Sequence, residues 1–508
     1  MTTRAPSTNS PRFAVLSLLS CAFLAGACAV DASDPEARAA ETPPVSSAPG
    51  NPTPAPAPVR PSEPPRLATV GPGGPRTAFV HLFEWAWDDV ARECETFLGP
   101  KGYAAVQVSP PQEHAQLPSH PWYERYQPVS YRIESRGGNR AAFASMVSRC
   151  KKARVDIYVD AVLNHMSFVE NGIGTAGTAF TRKGYPGLYG ASDFHTCGRA
   201  IQDWGSRDEI QSCELATCPD LDTGKEHVRA TLAAYLQDLV DLGVAGIRVD
   251  AAKHISTTDL AAILGRVKGP LYVYQEVIDN DGQGAITANE YAPLGDVTEF
   301  RYGADLSRVF RTGKLSWLET FGVGWGFLGS DVGIAFVDNL DNQRSHGSGD
   351  PLTFRERPLY ELALQFMLAW PYGYPQIMSS YEFTGPNDGP PAGPALTSAG
   401  ACAAGRVCEH RWPAVAGMVG FRNATTGAFH VDDWWSDGDR RIAFSRGALG
   451  FVAINATDAP MTATVHTPMP PGSYSDVTTG APIVVRADRT IAIDLPPMRS
   501  VAIHAAKR

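Results

Sequence analysis

The sequence predicts an α/β protein: a closed parallel (β/α)8 TIM barrel, a small domain inserted after the third strand and a C-terminal antiparallel β-sandwich domain. Three observations carry this. From residue 77, eight short apolar runs alternate with longer helical stretches, the rhythm of a parallel barrel. After the third run a Gly-, Ser- and Asp-rich stretch extends to about residue 224, too long for an unstructured loop and so a small domain of its own. From about residue 428, short strands and turns replace helices, as in an antiparallel module. An open doubly wound sheet is the alternative, but no Gly-rich nucleotide loop follows the first strand.

From the N-terminus, residues 1–27 read as an export signal. Arg4 and Arg12 accompany an apolar run at 13–25, and Ala25-Gly26-Ala27 supplies small residues for cleavage. The run is too short to span a bilayer. Cys28 follows, one residue out of lipid-attachment spacing, so secretion is expected and a lipid anchor at the cell surface stays open. Residues 28–76, rich in Pro, Ala and Ser, cannot bury enough surface to fold and read as a linker; a disposable pro-segment is the other reading. Barrel strands are expected at 78–83, 104–108, 156–162, 246–249, 271–275, 297–300, 333–337 and 376–378. Helices are expected, for example, at 88–97, 141–152, 227–242 and 359–369. The barrel thus occupies 77–163 and 225–427, the inserted domain 164–224 and the β domain 428–508, with strands at 442–445, 450–455, 483–485 and 490–493.

A length of 508 residues exceeds one ordinary core, in keeping with several domains. A net charge of -9 leaves no basic surface for nucleic acid. A monomer is expected. Export permits disulfides. Cys94 with Cys150, Cys197 with Cys213 and Cys402 with Cys408 are the candidate pairs; Cys218 is left over, and no spacing suits zinc.

In such barrels the chemistry sits at the carboxyl ends of the strands. Four of those ends are polar here: Asp160 to Asn164-His165, Arg248-Val-Asp250, Gln275-Glu276 and Asp338-Asn339-Leu340-Asp341. Strand alternation puts Arg248 and Asp250 on one side, so Asp250 has a cation beside it. An ordinary structural ion pair explains that motif equally well when it is taken alone. Three carboxylates on one rim (Asp250, Glu276 and Asp341) would push one another's pKa values apart. That separation of acid from nucleophile is what glycoside hydrolysis needs.

With those residues in view, the chain resembles the α-amylases of glycoside hydrolase family 13, in particular the animal-type branch. The resemblance runs through H-L-F-E-W at 81–85, V-Q-V-S-P-P at 106–111, E-R-Y-Q-P-V-S-Y at 124–131 and Y-V-D-A-V-L-N-H-M at 158–166. It continues through Q-E-V-I-D at 275–279, F-V-D-N at 336–339, D-N-Q-R at 341–344 and C-E-H-R-W at 408–412. It implies an endo-acting, retaining enzyme cleaving α-1,4-glucosidic bonds of starch, glycogen or maltooligosaccharides. Asp250 would be the nucleophile, Glu276 the acid/base and Asp341 the stabiliser of the distorted sugar. His165 would bind hydroxyls of that sugar, Tyr126 would stack beneath it with Gln127 nearby, and Trp122 and Tyr123 would form an aromatic platform. Lys253 and His346 would meet glucose units on the leaving-group side. A calcium ion is implied at Asn164, Gln211, Asp220 and His254, the second and fourth through backbone carbonyls.

Two departures stand out. Leu340 replaces a family His; the lost polar contact would weaken transition-state binding by about 2–4 kcal/mol. The branch's chloride site would use Arg248 and Asn339, but Gln376 occupies the place of its second Arg, so activity without chloride is expected. A maltooligosaccharide-producing or transglycosylating enzyme, and a carbohydrate-binding protein that has lost activity, are the alternatives.

Overall fold

The computed structural model describes residues 77–279, 284–347 and 349–506; the expected signal and linker lie outside them. Eight parallel strands close into a barrel: β1 (Phe79–Leu82), β2 (Ala105–Val108), β3 (Asp156–Val162), β4 (Gly246–Asp250), β5 (Tyr272–Gln275), β6 (Asp296–Thr298), β7 (Gly333–Ala335) and β8 (Tyr374–Ser379). Each pairs with its successor, and β8 closes on β1 with Gln376 opposite Phe79. All eight overlap the expected runs. The sixth sits one residue earlier than expected because the helix after it already begins at Phe300. Around the barrel lie α1 (Trp87–Glu93), α2 (Arg140–Lys152), α3 (Glu226–Asp241), α4 (Thr257–Leu264), α5 (Phe300–Thr312), α6 (Arg357–Ala369) and α7 (Pro413–Ala424). The helix expected at 88–97 is α-helical only as far as Glu93 and continues as a π-helical turn, Cys94–Leu98.

Alternation along the strands divides the barrel into an outer and an inner set. Val80, Leu82, Val106, Val108, Val159, Ile247, Val249 and Ile377 face the helices in the main core. Phe79, Tyr158, Tyr274, Phe336 and Tyr374 face inward and fill the barrel. Phe79 lies 4.7 Å from Tyr374 and 5.6 Å from both Tyr158 and Tyr274, between ring centroids. At Gly246 a Cβ would come within 2.8 Å of the Tyr158 ring and 2.9 Å of the Tyr272 carbonyl, so only glycine fits this floor. Two residues further along each strand, the same periodicity brings His81, Gln107, Asp160, Arg248 and Gln376 inward as a buried polar layer above the aromatic floor.

The inserted segment carries a small hairpin (Asn171–Ile173 with Ala179–Thr181) and short helical turns. The C-terminal module has β9 (Asp432–Ser436), β10 (Arg441–Arg446), β11 (Gly450–Asn455), β12 (Met461–His466), β13 (Gly472–Ser475), β14 (Pro482–Val485), β15 (Thr490–Leu495) and β16 (Arg499–His504). A four-stranded antiparallel sheet, β9-β10-β11-β16, packs on the β12-β15 and β13-β14 pairs. Ala443, Phe451, Ala453, Val501 and Ile503 face that packing, while Ile442, Phe444, Val452, Ile454 and Ala502 join the barrel's core. Two buried arginines reinforce the junction. Arg422 donates to the carbonyls of Trp370 (2.7 Å) and Gly373 (2.6 Å), and Arg446 to that of Ala369 (2.5 Å). They satisfy orphan carbonyls at the end of α6, where a cation is also favoured by the helix dipole. The three candidate disulfides, Cys94–Cys150, Cys197–Cys213 and Cys402–Cys408, are formed.

Candidate active site

The carboxyl rim is organised by one guanidinium. Arg248, buried inside β4, donates through Nη1 to Asp160 Oδ1 (2.5 Å) and Asp250 Oδ1 (2.8 Å), and its Nη2 lies 2.6 Å from Glu276 Oε1. The chain turns sharply after Asp250: Ala251 has φ 50°, a left-handed conformation rare for a residue with a side chain. The turn aims the Ala251 N–H at Glu276 Oε2 (2.9 Å), while Oε1 has the ion-pair contact with Arg248 and no hydrogen-bond partner among the described residues.

Four carboxylates thus crowd one Arg, with Asp341 the fourth. Burial pushes the Asp250 carboxyl well above the usual range. The charges of Glu276 and Asp160 push the same way, and Arg248 opposes them. Burial and the nearby Glu276 push Asp341 up to about 8. Burial and mutual repulsion thus push Asp160, Asp250 and Asp341 upward against the pull of Arg248, joined at Asp341 by Arg344.

Asp341 owes its position to Asn339. The Asn339 Oδ1 accepts the backbone N–H groups of Asp341 (3.0 Å) and Asn342 (2.9 Å). Arg344 closes the same turn by donating to the Leu340 carbonyl (2.9 Å), while its guanidinium sits 4.1 Å from the Phe383 ring and 4.8 Å from that of Tyr381. Leu340 packs among Phe83, Trp122, Tyr123, Tyr126, Val162, Met378 and Tyr381.

His165, on the segment after β3, has its Nε2 3.1 Å from the Tyr126 carbonyl. A carbonyl can only accept, so Nε2 carries the proton and Nδ1 is a bare acceptor; no group among the described residues meets it. Burial lowers this imidazole to about 4, which keeps it neutral. Tyr126 donates its hydroxyl to Asp160 Oδ2 (2.7 Å).

Four of the expected sugar contacts, Trp122, Tyr126, Gln127 and His165, are fully buried in this structure, and of their side-chain polar atoms only His165 Nδ1 is left without a hydrogen-bond partner among the described residues. Trp122 is wholly enclosed, its Nε1 donating to the Pro386 carbonyl (3.0 Å) on the segment after β8. Gln127 is also wholly buried, because its Oε1 accepts the Phe168 N–H (3.0 Å) and its amide donates to the Tyr126 carbonyl (3.2 Å). Cys218, left over in the sequence reading, is itself disulfide-bonded, and its Sγ lies 3.8 Å from Nε2 of that amide. Tyr123 remains available. It stands edge-on to Trp122 (5.8 Å) and lines a cavity of about 910 Å³ with Phe354, Arg355 and Phe383. Lys253 and His346 are half-buried; the Lys253 ammonium lies 5.9 Å from the Trp204 ring and the His346 ring 6.1 Å from that of Trp122.

The expected cation ligands form two pairs, each joined across distant parts of the chain. The Leu221 N–H donates to the Asn164 carbonyl (3.0 Å), which sets Asp220 next to Asn164. His254 Nδ1 lies 2.9 Å from the Ile210 carbonyl, which sets His254 next to Gln211. By hydrogen-bond geometry Asp220 Oδ1 and Asn164 Nδ2 are buried without a partner among the described residues, although the Asn164 side chain is close enough to pull the Asp220 carboxyl downward. Burial outweighs that pull and lifts Asp220 to about 6. The Asp220 carboxylate and the Asn164 amide oxygen are of the hard-donor type that Ca²⁺ takes.

Sequence reasoning named Asp160 as a strand-end acid and Arg344 within the D-N-Q-R motif but gave neither a role. It overlooked His195, 2.6 Å from Asp220 Oδ2 through Nδ1, which had no local signal because its partner lies 25 residues away.

A (β/α)8 barrel whose carboxyl rim gathers three strand-end acids around one arginine is the framework of a glycoside hydrolase. The comparisons agree. A family profile described as the α-amylase C-terminal all-β domain matches residues 434–506. An α-amylase-related protein of Drosophila pseudoobscura pseudoobscura is 45% identical over 432 residues, covering 80% of this chain and 86% of that one. The α-amylase of Streptomyces violaceus is 44% identical over 439 residues (86% and 75%), and that of Tenebrio molitor 45% over 429 (80% and 89%). The crystal structure of an α-amylase I variant from Eisenia fetida, in complex with maltohexaose, superposes with a TM-score of 0.81. It is 39% identical and covers 87% of this chain and 100% of that one. The chain belongs to the α-amylases of glycoside hydrolase family 13.

Proposed function

We propose that this protein is an exported, endo-acting α-amylase that hydrolyses internal α-1,4 bonds of starch and related glucans with retention of configuration. The observation that carries the reading is the Arg248 fork, which holds oxygens of Asp250 and Glu276 on adjacent nitrogens. Such bridging favours the short spacing of a retaining pair, roughly 5 Å, over the wider one that accommodates an inverting water.

In the first step Glu276 gives its proton to the glycosidic oxygen while Asp250 attacks the anomeric carbon. The bond to the leaving chain breaks and a glycosyl ester forms. Glu276, now a carboxylate, takes a proton from water, whose oxygen displaces Asp250 and regenerates both groups. Asp341, fixed by Asn339, receives the sugar's hydroxyls and faces the developing positive charge. His165 offers its bare Nδ1 as a hydroxyl acceptor. Tyr123 serves as the aromatic platform, held in place by the buried Trp122. Export is supported by the disulfides, three of them formed between described residues, since such bonds persist in oxidising compartments. Ca²⁺, held by Asn164, Asp220 and the carbonyls of Gln211 and His254, would tie the inserted segment to the barrel. Starch digested in an NMR tube is expected to release reducing ends initially in the α configuration, with an early fall in viscosity. Initial β products would overturn the retaining assignment, and slow viscosity loss the endo assignment.

Two finer points concern this chain's departures. Gln376 donates to Gln107 Oε1, and Gln107 donates to Asp160 Oδ2 (3.2 Å), so its amide is committed inside the barrel. With one cation fewer than a two-arginine chloride site, the enzyme is expected to work at full rate in halide-free buffer; several-fold stimulation by chloride would refute this. Leu340→His, which restores a polar group beside Asp341, is expected to raise kcat/KM on starch about tenfold or more. An unchanged kcat/KM would show that the apolar pocket already compensates.

A further inference from the structure

Asp220 sits on an extended segment clasped on two sides. On one side, the N–H groups of Met166 and Leu221 pair with the carbonyls of Pro219 (3.1 Å) and Asn164 (3.0 Å). On the other, the His195 N–H donates to the Asp220 carbonyl (3.0 Å), and the Asp222 N–H to that of Asp193 (2.9 Å). The backbone therefore delivers Asn164 and His195 to Asp220 from opposite edges. The two oxygens of Asp220 have different surroundings. Oδ2 takes the Nδ1–H of His195 at 2.6 Å, whereas Oδ1 is buried with no partner of hydrogen-bond geometry among the described residues, the Asn164 side chain being its polar neighbour. The imidazole is oriented in turn: its Nε2 lies 3.4 Å from Asp222 Oδ1, and Asp222 Oδ2 lies 3.3 Å from the Lys225 ammonium.

We infer that His195 is the positioning residue of the cation site, fixing one oxygen of Asp220 so that the other stays turned towards Asn164 and the carbonyls of Gln211 and His254. The inference rests on the calcium reading above. A carboxylate that is its site's only charged ligand can rotate about its last torsion and lose the orientation the ion requires. A donor on the far oxygen removes that freedom before the ion arrives. Outer hydrogen bonds of this kind orient metal ligands, and their loss typically weakens metal affinity about 10–100-fold. Lys225, Asp222 and His195 form a chain from the surface to Asp220, which holds the ring against rotation. His195 lies 25 residues from Asp220 in sequence.

The test is calorimetric titration of Ca²⁺ into the chelator-stripped full chain, with thermal melts in excess Ca²⁺ and in chelator. The variants His195→Ala, His195→Phe and His195→Asn are compared with the unmodified protein. His195→Ala is expected to raise Kd about 10–100-fold and to shrink the Tm gain produced by Ca²⁺. His195→Phe fills the space without a donor and should behave alike, which keeps the test open should the Ala variant not fold. His195→Asn places an amide N–H where Nδ1–H stood and should keep Kd within about threefold. The inference is overturned if the unmodified protein binds Ca²⁺ and the Phe variant binds it equally well. It is also overturned if Tm falls by the same amount with and without Ca²⁺ at unchanged Kd, which would make His195 a packing residue only. If the unmodified protein itself binds no Ca²⁺, the calcium reading fails, and the two failures are told apart by that first titration.

Discussion

Asp250→Asn is expected to lower reducing-sugar release from starch by about four orders of magnitude or more while leaving the fold intact. An amide cannot form the glycosyl ester, and in sites whose residues act as a unit the loss of a nucleophile removes nearly all of the chemistry. The fold survives because Asn retains an oxygen for Arg248 Nη1, and Asp160 and Glu276 keep the guanidinium paired. The substitution also removes one of four crowded acids, and the native Asp250 carboxyl is pushed upward by burial and by its neighbours. Stability should therefore stay level or rise, the usual trade between a strained site and its activity. Kinetics on soluble starch and a thermal melt of the same preparation check both halves. More than about one per cent residual activity would remove Asp250 from the nucleophile's role. A sharp fall in Tm would return it to the status of a structural ion-pair member.

Arg248→Met carries the largest expected cost in stability. The change strands Asp160, Asp250 and Glu276, three buried carboxylates that now share one cation. Removing one partner of a buried ion pair costs about 3–5 kcal/mol, because an uncompensated charge stays in the dry interior. The deficit should depend on pH. Without Arg248 the folded-state pKa values of Asp160 and Asp250, already raised by burial, lie further above their unfolded values. Their contribution to stability is then present below the unfolded pKa, near pH 4, and is lost as pH rises through the folded ones. Denaturant midpoints should differ little between variant and parent near pH 4.5 and widely at pH 7.5. An equal deficit at both values would mean that Arg248 acts through packing and not through charge. Activity should be lost at either pH, since Asp250 and Glu276 no longer share a fork.

The barrel was legible in the sequence because strands buried on both faces stand out as short apolar runs. The inward-facing aromatics Phe79, Tyr158, Tyr274 and Tyr374 kept the two-residue period that placed Arg248 and Asp250 together. The β domain was legible for the same reason: alternate residues of β10, β11 and β16 serve two different cores. The helix at 88–97 was misjudged in kind, since apolar spacing does not separate an α-helical turn from the π-helical one that follows Glu93.

The sequence by itself determined which residues could do chemistry: three acids at three strand ends, an arginine two residues before one of them, and a leucine and a glutamine where relatives of the family carry His and Arg. Those are properties of local pattern and residue type. Only the tertiary structure decided which groups can reach a ligand. Trp122 reads as a sugar platform in its own loop, yet Pro386, 264 residues away, caps it. Gln127 reads as its companion, yet it is spent on the backbone of the inserted segment. His195 has no pattern around it and acquires its place only because two extended segments deliver it to Asp220. Burial and hydrogen-bond partnership are set by chain segments far apart in sequence, and no local spacing encodes them. For that reason the fork of Arg248, first visible as a neighbour of Asp250 alone, proves to be the group that holds three carboxylates at once.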